Sequence, residues 1–245
     1  AEQLEILLRN TPLDRVEKAE VMYSAPPELH VRGAVINVVM KRSNDYSFQG
    51  ELNTYYQNRY FNSGGANGNI RFSTPKFTLD VMYGADNVKT IEYTELFSRH
   101  TFNDNVYEIT QEEKLSSKSW MHNVRTALVY NINEKNHLNV TYTGSFTPDG
   151  HNRSIADGSF QQSNLDKFTD NKMNNITVQY SSGIGLEIGG DYTRYTSDNN
   201  QTMFTQLSDK NENSYTLTGG QLIDRYSIYA DQKHNLTNNW ASVTE

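Results

Sequence analysis

The chain contains no cysteine, which excludes a disulfide framework and any cysteine-ligated metal site. It also lacks an excess of basic residues: the formal net charge is -7, and no basic stripe appears locally. The sequence therefore shows no sign of a nucleic-acid-binding surface. It contains no apolar run of the roughly 20 residues that a membrane-spanning helix needs, and its mean hydropathy is only -0.75. These absences leave β-rich proteins, including transmembrane barrels, whose strands are apolar only at alternate positions.

What the chain has in abundance is aromatic residues, with 16 Tyr, 10 Phe and 2 Trp among its 245 residues. That density argues against a disordered chain. Together with many Asn, Thr and Gly residues, it favours strands joined by turns.

The first 45 residues differ from the rest of the chain. Leu4, Leu7 and Leu8 have helical spacing, and the segments Val16–Met22 and 35–41 read as short strands. We expect this region to be a small α+β unit with too little apolar area to stand alone.

From Tyr46 onward the sequence alternates between apolar and polar residues. In the segment 137–146, Leu138, Val140, Tyr142 and Phe146 alternate with polar residues, and about eight segments read this way, with a ninth starting at Trp240. The connections run long, short, long, short: the polar segments 59–67, 91–118, 147–171 and 197–213 are long. This order predicts an all-β, antiparallel up-and-down meander that forms part of a transmembrane β-barrel, and a Greek-key sandwich is the alternative.

Charged residues in the middle of strands all fall opposite the apolar set, so they are predicted to face a wet lumen. They are Glu51, Arg71, Asp80, Arg125, Glu187 and Asp191. A charge facing lipid would cost roughly 2–4 kcal/mol near the bilayer midplane. Four tyrosines near strand ends are expected to form aromatic girdles at the headgroups: Tyr130, Tyr142, Tyr180 and Tyr192.

Two motifs near the N-terminus resemble the end of the plug domain of TonB-dependent outer-membrane receptors. Val16, Glu20 and Val21 match the segment that precedes a turn. The more specific motif leads into the first barrel strand and is matched by Gly33, Ile36, Asn37, Val38 and Lys41, with Ala34 replacing a glycine. The segment 225–231 is similar to receptors of the Bacteroidetes type.

The resemblance implies a domain division and a function. Residues 1–45 would be the C-terminal end of the plug and residues 46–245 the first eight to nine strands of a truncated barrel, which in this class has about 22 strands. The segment that engages TonB and most of the plug are expected to be missing. The implied function is import of a siderophore, glycan or peptide nutrient across the bacterial outer membrane, with outer-membrane lipid, TonB and a surface lipoprotein as expected partners.

Aromatic and polar residues in the predicted extracellular loops are candidate ligand contacts. They are Tyr93, Phe97, Phe102, Tyr107, His151, Arg153 and Phe160. Loop packing explains such aromatics equally well, so the substrate stays open.

No catalytic constellation appears, and neither an enzyme activity nor a cofactor or metal is expected. The six histidines are scattered without HExxH spacing, and the glycine required of a calcium loop is replaced by Ser214. Two alternatives to the receptor remain: a soluble or surface-anchored β-sandwich that binds glycans, and a small enzyme-like outer-membrane barrel.

Overall fold

The computed structural model describes residues 16–23, 35–40, 46–103, 105–207, 211–237 and 240–244, and all regular elements in these ranges are β-strands. The predicted all-β class is therefore confirmed. The predicted helix at Leu4–Leu8 lies outside the described residues, as do Gly33 and Lys41 of the plug-like motif. The side chains of Asn37 and Phe102 are also outside the description. Among the described residues, no helix has the length and apolar character to cross a membrane.

The two strands predicted near the N-terminus form a small sheet of their own. Strand β1 (Val16–Met22) pairs antiparallel with β2 (Val35–Met40), and Val21 lies opposite Ile36. On β1 the Nζ of Lys18 donates to Glu20 at 2.6 Å, and this hydrogen bond raises the pKa of Lys18. Because the Lys18–Glu20 pair is exposed, it contributes little to stability.

The remaining nine strands form one antiparallel sheet in which each strand lies beside the next one in sequence. They are β3 (Ser47–Asn58), β4 (Asn62–Ser73), β5 (Phe77–Phe102), β6 (Asn105–Asn133), β7 (Asn136–Gly158), β8 (Gln161–Ser181), β9 (Leu186–Leu207), β10 (Glu212–Thr237) and β11 (Trp240–Thr244). The up-and-down meander is confirmed, including a strand that begins at Trp240. The sheet is open in the described part of the chain, since the outer strands β3 and β11 pair with β4 and β10 and not with each other.

The prediction of long polar loops is wrong, because most of the residues in those segments belong to β-strands. The segment 91–118 comprises the end of β5 and the beginning of β6, with Tyr93 opposite Lys114 and His100 opposite Tyr107. Cross-strand pairing satisfies the backbone hydrogen bonds of both strands even where neither face is covered. The segments predicted as long connections are therefore paired strands that extend the hairpins at the end of the sheet opposite the short turns.

The large sheet is a single layer. Its strands contact their sequence neighbours, and no second sheet of comparable size packs on either face within the described ranges. Since a soluble domain buries its apolar face against a second layer, this sheet lacks the usual place for a hydrophobic core.

Burial in the sheet is inverted relative to a soluble protein. We call the face that carries Phe48, Val81, Leu128, Val140 and Ile176 the apolar face, and the opposite one the polar face. The buried strand side chains lie on the polar face: Asn69, Ser73, Met82, Ser154, Ala156, Thr205 and Asp231. By contrast Leu52 is 73% exposed and Ile228 is 89% exposed on the apolar face. This pattern is typical of a sheet that curves toward its polar face, which crowds those side chains.

Gly190 on β9 provides a test of how closely β9 and β10 approach each other. A Cβ at Gly190 would lie 2.8 Å from the backbone oxygen of Ser227 on β10. We therefore expect Gly190→Ala to lower the free energy of unfolding by about 1–3 kcal/mol, because β9 and β10 would have to separate. Urea titration in detergent micelles, followed by circular dichroism, measures this change.

The matched control is Gly50→Ala on β3, where the nearest atom to the new Cβ is the Asn69 oxygen at 3.6 Å. This substitution is expected to change the free energy of unfolding by less than about 0.5 kcal/mol. Equal losses for the two variants would contradict the close packing of β9 and β10.

Candidate functional site

The polar face carries a rung across eight strands in which seven of the eight side chains are polar and Met82 is the exception. The rung runs, from β3 to β10, through Glu51, Asn69, Met82, Arg125, Thr143, Asn175, Thr193 and Arg225. Asn175 donates to the Thr193 hydroxyl at 2.9 Å, and Asn69 donates to Glu51 at 3.4 Å. Apart from Met82, this rung is polar across the width of the sheet and can be wetted by water.

All six charges predicted to face a lumen lie on the polar face. Arg71 is directly opposite Asp80 on the neighbouring strand. Asn53 and Asn69 donate to Glu51, Gln179 donates to Glu187, and the Ser227 hydroxyl donates to Asp191. These partners solvate the carboxylates within the face, so the charges need no ligand to be accommodated. The resemblance to TonB-dependent receptors would in addition give these charges a role in holding the plug, and that role stays a prediction.

The apolar face has a band without a formal charge that continues across β3 to β10. On β6 it extends from Tyr130, next to the short turn, to Trp120, and includes Leu128 and Val124. The ten residue steps between Tyr130 and Trp120 span about 33 Å along the strand. For a strand tilted by about 40°, this corresponds to a band about 25 Å tall, which is the height of the apolar belt on outer-membrane barrels.

The border of this band on the side away from the short turns, which we call the upper border, runs obliquely across the strands. The rung through Tyr226 on β10 crosses β6 at Thr126, which is six residues from Trp120. The border therefore shifts by about 20 Å along the strands over four strand spacings, or about 19 Å. If the border is level, as a membrane surface would require, the strands are tilted by about 45°, within the range seen in barrels.

Three aromatic side chains cluster at the upper border on β5 and β6. The Tyr83 hydroxyl and His122 Nδ1 share a hydrogen bond of 2.8 Å, and Trp120 stacks on His122 with ring centroids 6.0 Å apart. Each ring combines an apolar body with a polar atom, which is the chemistry found at membrane–water interfaces. The girdle tyrosines expected at Tyr142 and Tyr192 also lie on the apolar face and donate to Asn174 and Asp224.

The residues predicted to bind ligand do not form one site. Tyr93, Phe97, His151 and Arg153 lie on the apolar side of the sheet beyond the band, whereas Tyr107 lies on the polar side. Phe160 is in the turn between β7 and β8. Those on strands were predicted in loops, and that prediction is wrong because the hairpins continue as paired strands.

A bulge in β7 explains why His151 and Arg153 lie on the apolar side of the sheet. The register shifts between Thr147 and Gly150, where Asp149 has a positive φ of 51°, so the even-numbered Phe146 and the odd-numbered His151 share a face. His151 is engaged locally: it stacks on Phe168 at 4.4 Å, and its Nε2 is 2.9 Å from Asp166 Oδ1.

Several residues were not singled out from the sequence. They are Trp120 and His122 of the aromatic cluster and the lysines that follow them on the apolar side, Lys118 and Lys114. Their common signal is position immediately beyond an apolar alternating segment, which becomes informative only when the border of the band is known. In the part of the chain that the structure describes, no group of three or more His, Asp or Glu side chains is placed to hold a metal ion.

Comparison with known proteins does not assign the chain to a family. No protein-family model matches the sequence, and a search of curated proteins finds no match.

The hydrogen bond between Tyr83 and His122 can be tested directly. We expect Tyr83→Phe to lower the free energy of unfolding by about 0.5–1.5 kcal/mol, because His122 Nδ1 loses its partner. The control is Tyr93→Phe, since the Tyr93 ring contacts Lys114 but its hydroxyl has no hydrogen-bond partner among the described residues. A loss for Tyr93→Phe as large as that for Tyr83→Phe would show that the hydrogen bond is not the cause.

Proposed function

We propose that the chain forms part of the wall of a transmembrane β-barrel in an outer-membrane receptor of the TonB-dependent class. In this role the apolar face contacts lipid and the polar face lines the lumen. The observation that carries the proposal is the inverted burial of the large sheet, with buried polar side chains on one face and exposed large apolar side chains on the other.

The size of the apolar face supports a lipid environment. Even with the shorter apolar stretch of about 20 Å between Leu186 and Tyr192 on β9, eight strands spaced about 4.8 Å apart give a patch of roughly 800 Å². Soluble monomers seldom expose a contiguous apolar patch of more than a few hundred Å². A bilayer covers such a face without a second protein layer, and the band height and strand tilt derived above fit the hydrocarbon core.

The alternative, a soluble or surface-anchored β-sandwich that binds glycans, requires a second sheet over the apolar face. The described residues contain no such sheet, and beyond the band each face of the long hairpins mixes polar and apolar residues.

The further parts of the proposal depend on the resemblance of the N-terminal motifs. The paired strands β1 and β2 carry Val21 and Ile36 of those motifs in register. In the proposed receptor they belong to the end of a plug, TonB acts on the plug from the periplasm, and the nutrient is a siderophore, glycan or peptide. The scattered ligand candidates do not distinguish among these substrates.

A pair of adjacent substitutions on β7 tests which face meets lipid. Val140 lies on the apolar face and Thr141 on the polar face, both inside the band. We expect Val140→Arg to lower the free energy of unfolding in lipid vesicles by about 2–4 kcal/mol, because it places a charge in hydrocarbon. Thr141→Arg is expected to cost less than about 1 kcal/mol. Urea titration of the reconstituted protein measures both, and a reversed order would contradict the proposal.

The function itself is tested by fractionating cells that express the complete gene product. A receptor is expected in the outer-membrane fraction and requires detergent for extraction. Deletion of the gene should abolish accumulation of one labelled compound from a panel of siderophores, glycans and peptides. Recovery of the complete product in the soluble fraction would overturn the proposal.

A further inference from the structure

Basic side chains follow the upper border of the apolar band on four strands. Moving away from the short turns, the outward-facing residue after Trp120 is Lys118, and the one after Tyr192 is Arg194. Lys89 lies opposite Lys118, and Lys172 lies opposite Phe146. Because these residues follow the same oblique border as the aromatic side chains, they would lie at one depth in a membrane.

The densest part of this border is a block of nine outward-facing residues on three strands, which we call the basic block. Its three rungs are Lys89–Lys118–His151, Ile91–Ser116–Arg153 and Tyr93–Lys114–Ile155. The block contains four Lys or Arg side chains and no carboxylate. The neighbouring Asp166 is opposite Arg153 on β8, but its Oδ1 is 2.9 Å from His151. The acidic rung of Glu95, Glu112 and Asp157 lies farther from the band.

The positive charges inside the block repel one another. Lys89 and Lys118 are directly opposite across β5 and β6, an arrangement that destabilises a sheet. Among the described residues, no ion pair is formed by Lys89, Lys118 or Arg153. Elsewhere on the border the cations have carboxylate partners, as Lys172 has Asp170 at 2.9 Å and Arg194 has Asp224 at 4.0 Å. The block therefore has the geometry of a site that an external anion would complete.

The position of the block relative to Trp120 indicates where that anion would lie. Lys118 is one outward-facing position beyond Trp120, about 6.7 Å along the strand, which is about 5 Å of depth at a tilt of about 45°. The headgroup layer on each side of the hydrocarbon core is about 5–7 Å thick. With Trp120 at the interface, the ammonium groups reach the level of the lipid phosphates.

We propose that the basic block binds phosphate groups of anionic lipids in the leaflet from which the long hairpins project. This inference rests on the proposed function, since the apolar face must meet lipid for the block to reach headgroups. Each cation near an anionic lipid surface contributes about 1 kcal/mol, equivalent to about fivefold in binding.

Trp120 is placed to report lipid occupancy of the block. In a Trp240→Phe background it is the single tryptophan of this chain, and its side chain is exposed at the border. The protein is reconstituted in phosphatidylcholine vesicles that contain brominated phosphatidylglycerol or, in parallel, brominated phosphatidylcholine. Quenching of Trp120 then gives the preference for the anionic lipid, with any further tryptophan of the complete product also replaced.

We expect phosphatidylglycerol to quench Trp120 more than phosphatidylcholine does. Lys118→Gln should reduce the preference about fivefold, and combined replacement of Lys89, Lys118 and Arg153 by Gln should abolish it. The matched control is Lys167→Gln: Lys167 lies on the polar side, on the rung through Asn152 and Ser117 that adjoins the basic block. Its replacement should leave the preference unchanged.

The outcomes separate the two proposals. If neither brominated lipid quenches Trp120, the apolar face is not in lipid and the proposed function fails. If both lipids quench equally in the unmodified protein, or if Lys167→Gln has the same effect as Lys118→Gln, the basic block does not select anionic lipid. If millimolar inorganic phosphate abolishes the preference while chloride at equal ionic strength does not, the block binds free phosphate, and the lipid proposal is overturned.

Discussion

Cross-strand backbone hydrogen bonding is the interaction on which the rest of the structure depends. Strands as long as β5 and β6 hold one register for most of their length, so the face of each side chain is set by its position along the ladder. A slip of one residue would move Val81 and Leu128 to the face of Asp80 and Ala127. The separation of apolar and polar residues therefore depends on register, and so does every role proposed for either face.

The two faces solve different physical problems with the same strands. On the polar face, charged side chains such as Glu51 and Asp191 are solvated by neighbouring amides and hydroxyls, which a wet interior can supplement. On the apolar face, formal charge begins only at the border marked by Trp120 and Tyr192, where Lys118 and Arg194 follow. The proposed membrane environment, which changes from hydrocarbon to anionic headgroups over a few ångströms, would account for this order.

Alternation in the sequence was sufficient to predict the meander and the faces of residues such as Leu138, Val140 and Asp80, because a period of two is preserved wherever one face is apolar. It failed in the segment 91–118, where each face mixes polar and apolar residues and pairing leaves no periodic signal. It also failed at the bulge near Asp149. The register shift there exchanges the faces of even- and odd-numbered residues, so His151 and Arg153 lie on the apolar side of the sheet. The oblique border became visible only when residues distant in sequence were aligned by register.

The central claim is that the apolar face meets lipid and the polar face meets water, and the absence of cysteine allows a direct measurement. Ala127 and Leu128 are adjacent on β6 inside the band and lie on the polar and apolar faces respectively. In the complete protein, with any cysteine outside this sequence replaced, reconstitution in vesicles should allow a charged maleimide to label the Ala127→Cys variant. The Leu128→Cys variant should react only with a lipid-soluble maleimide. Rapid labelling of the Leu128→Cys variant by the charged reagent, with the Ala127→Cys variant protected, would contradict the account.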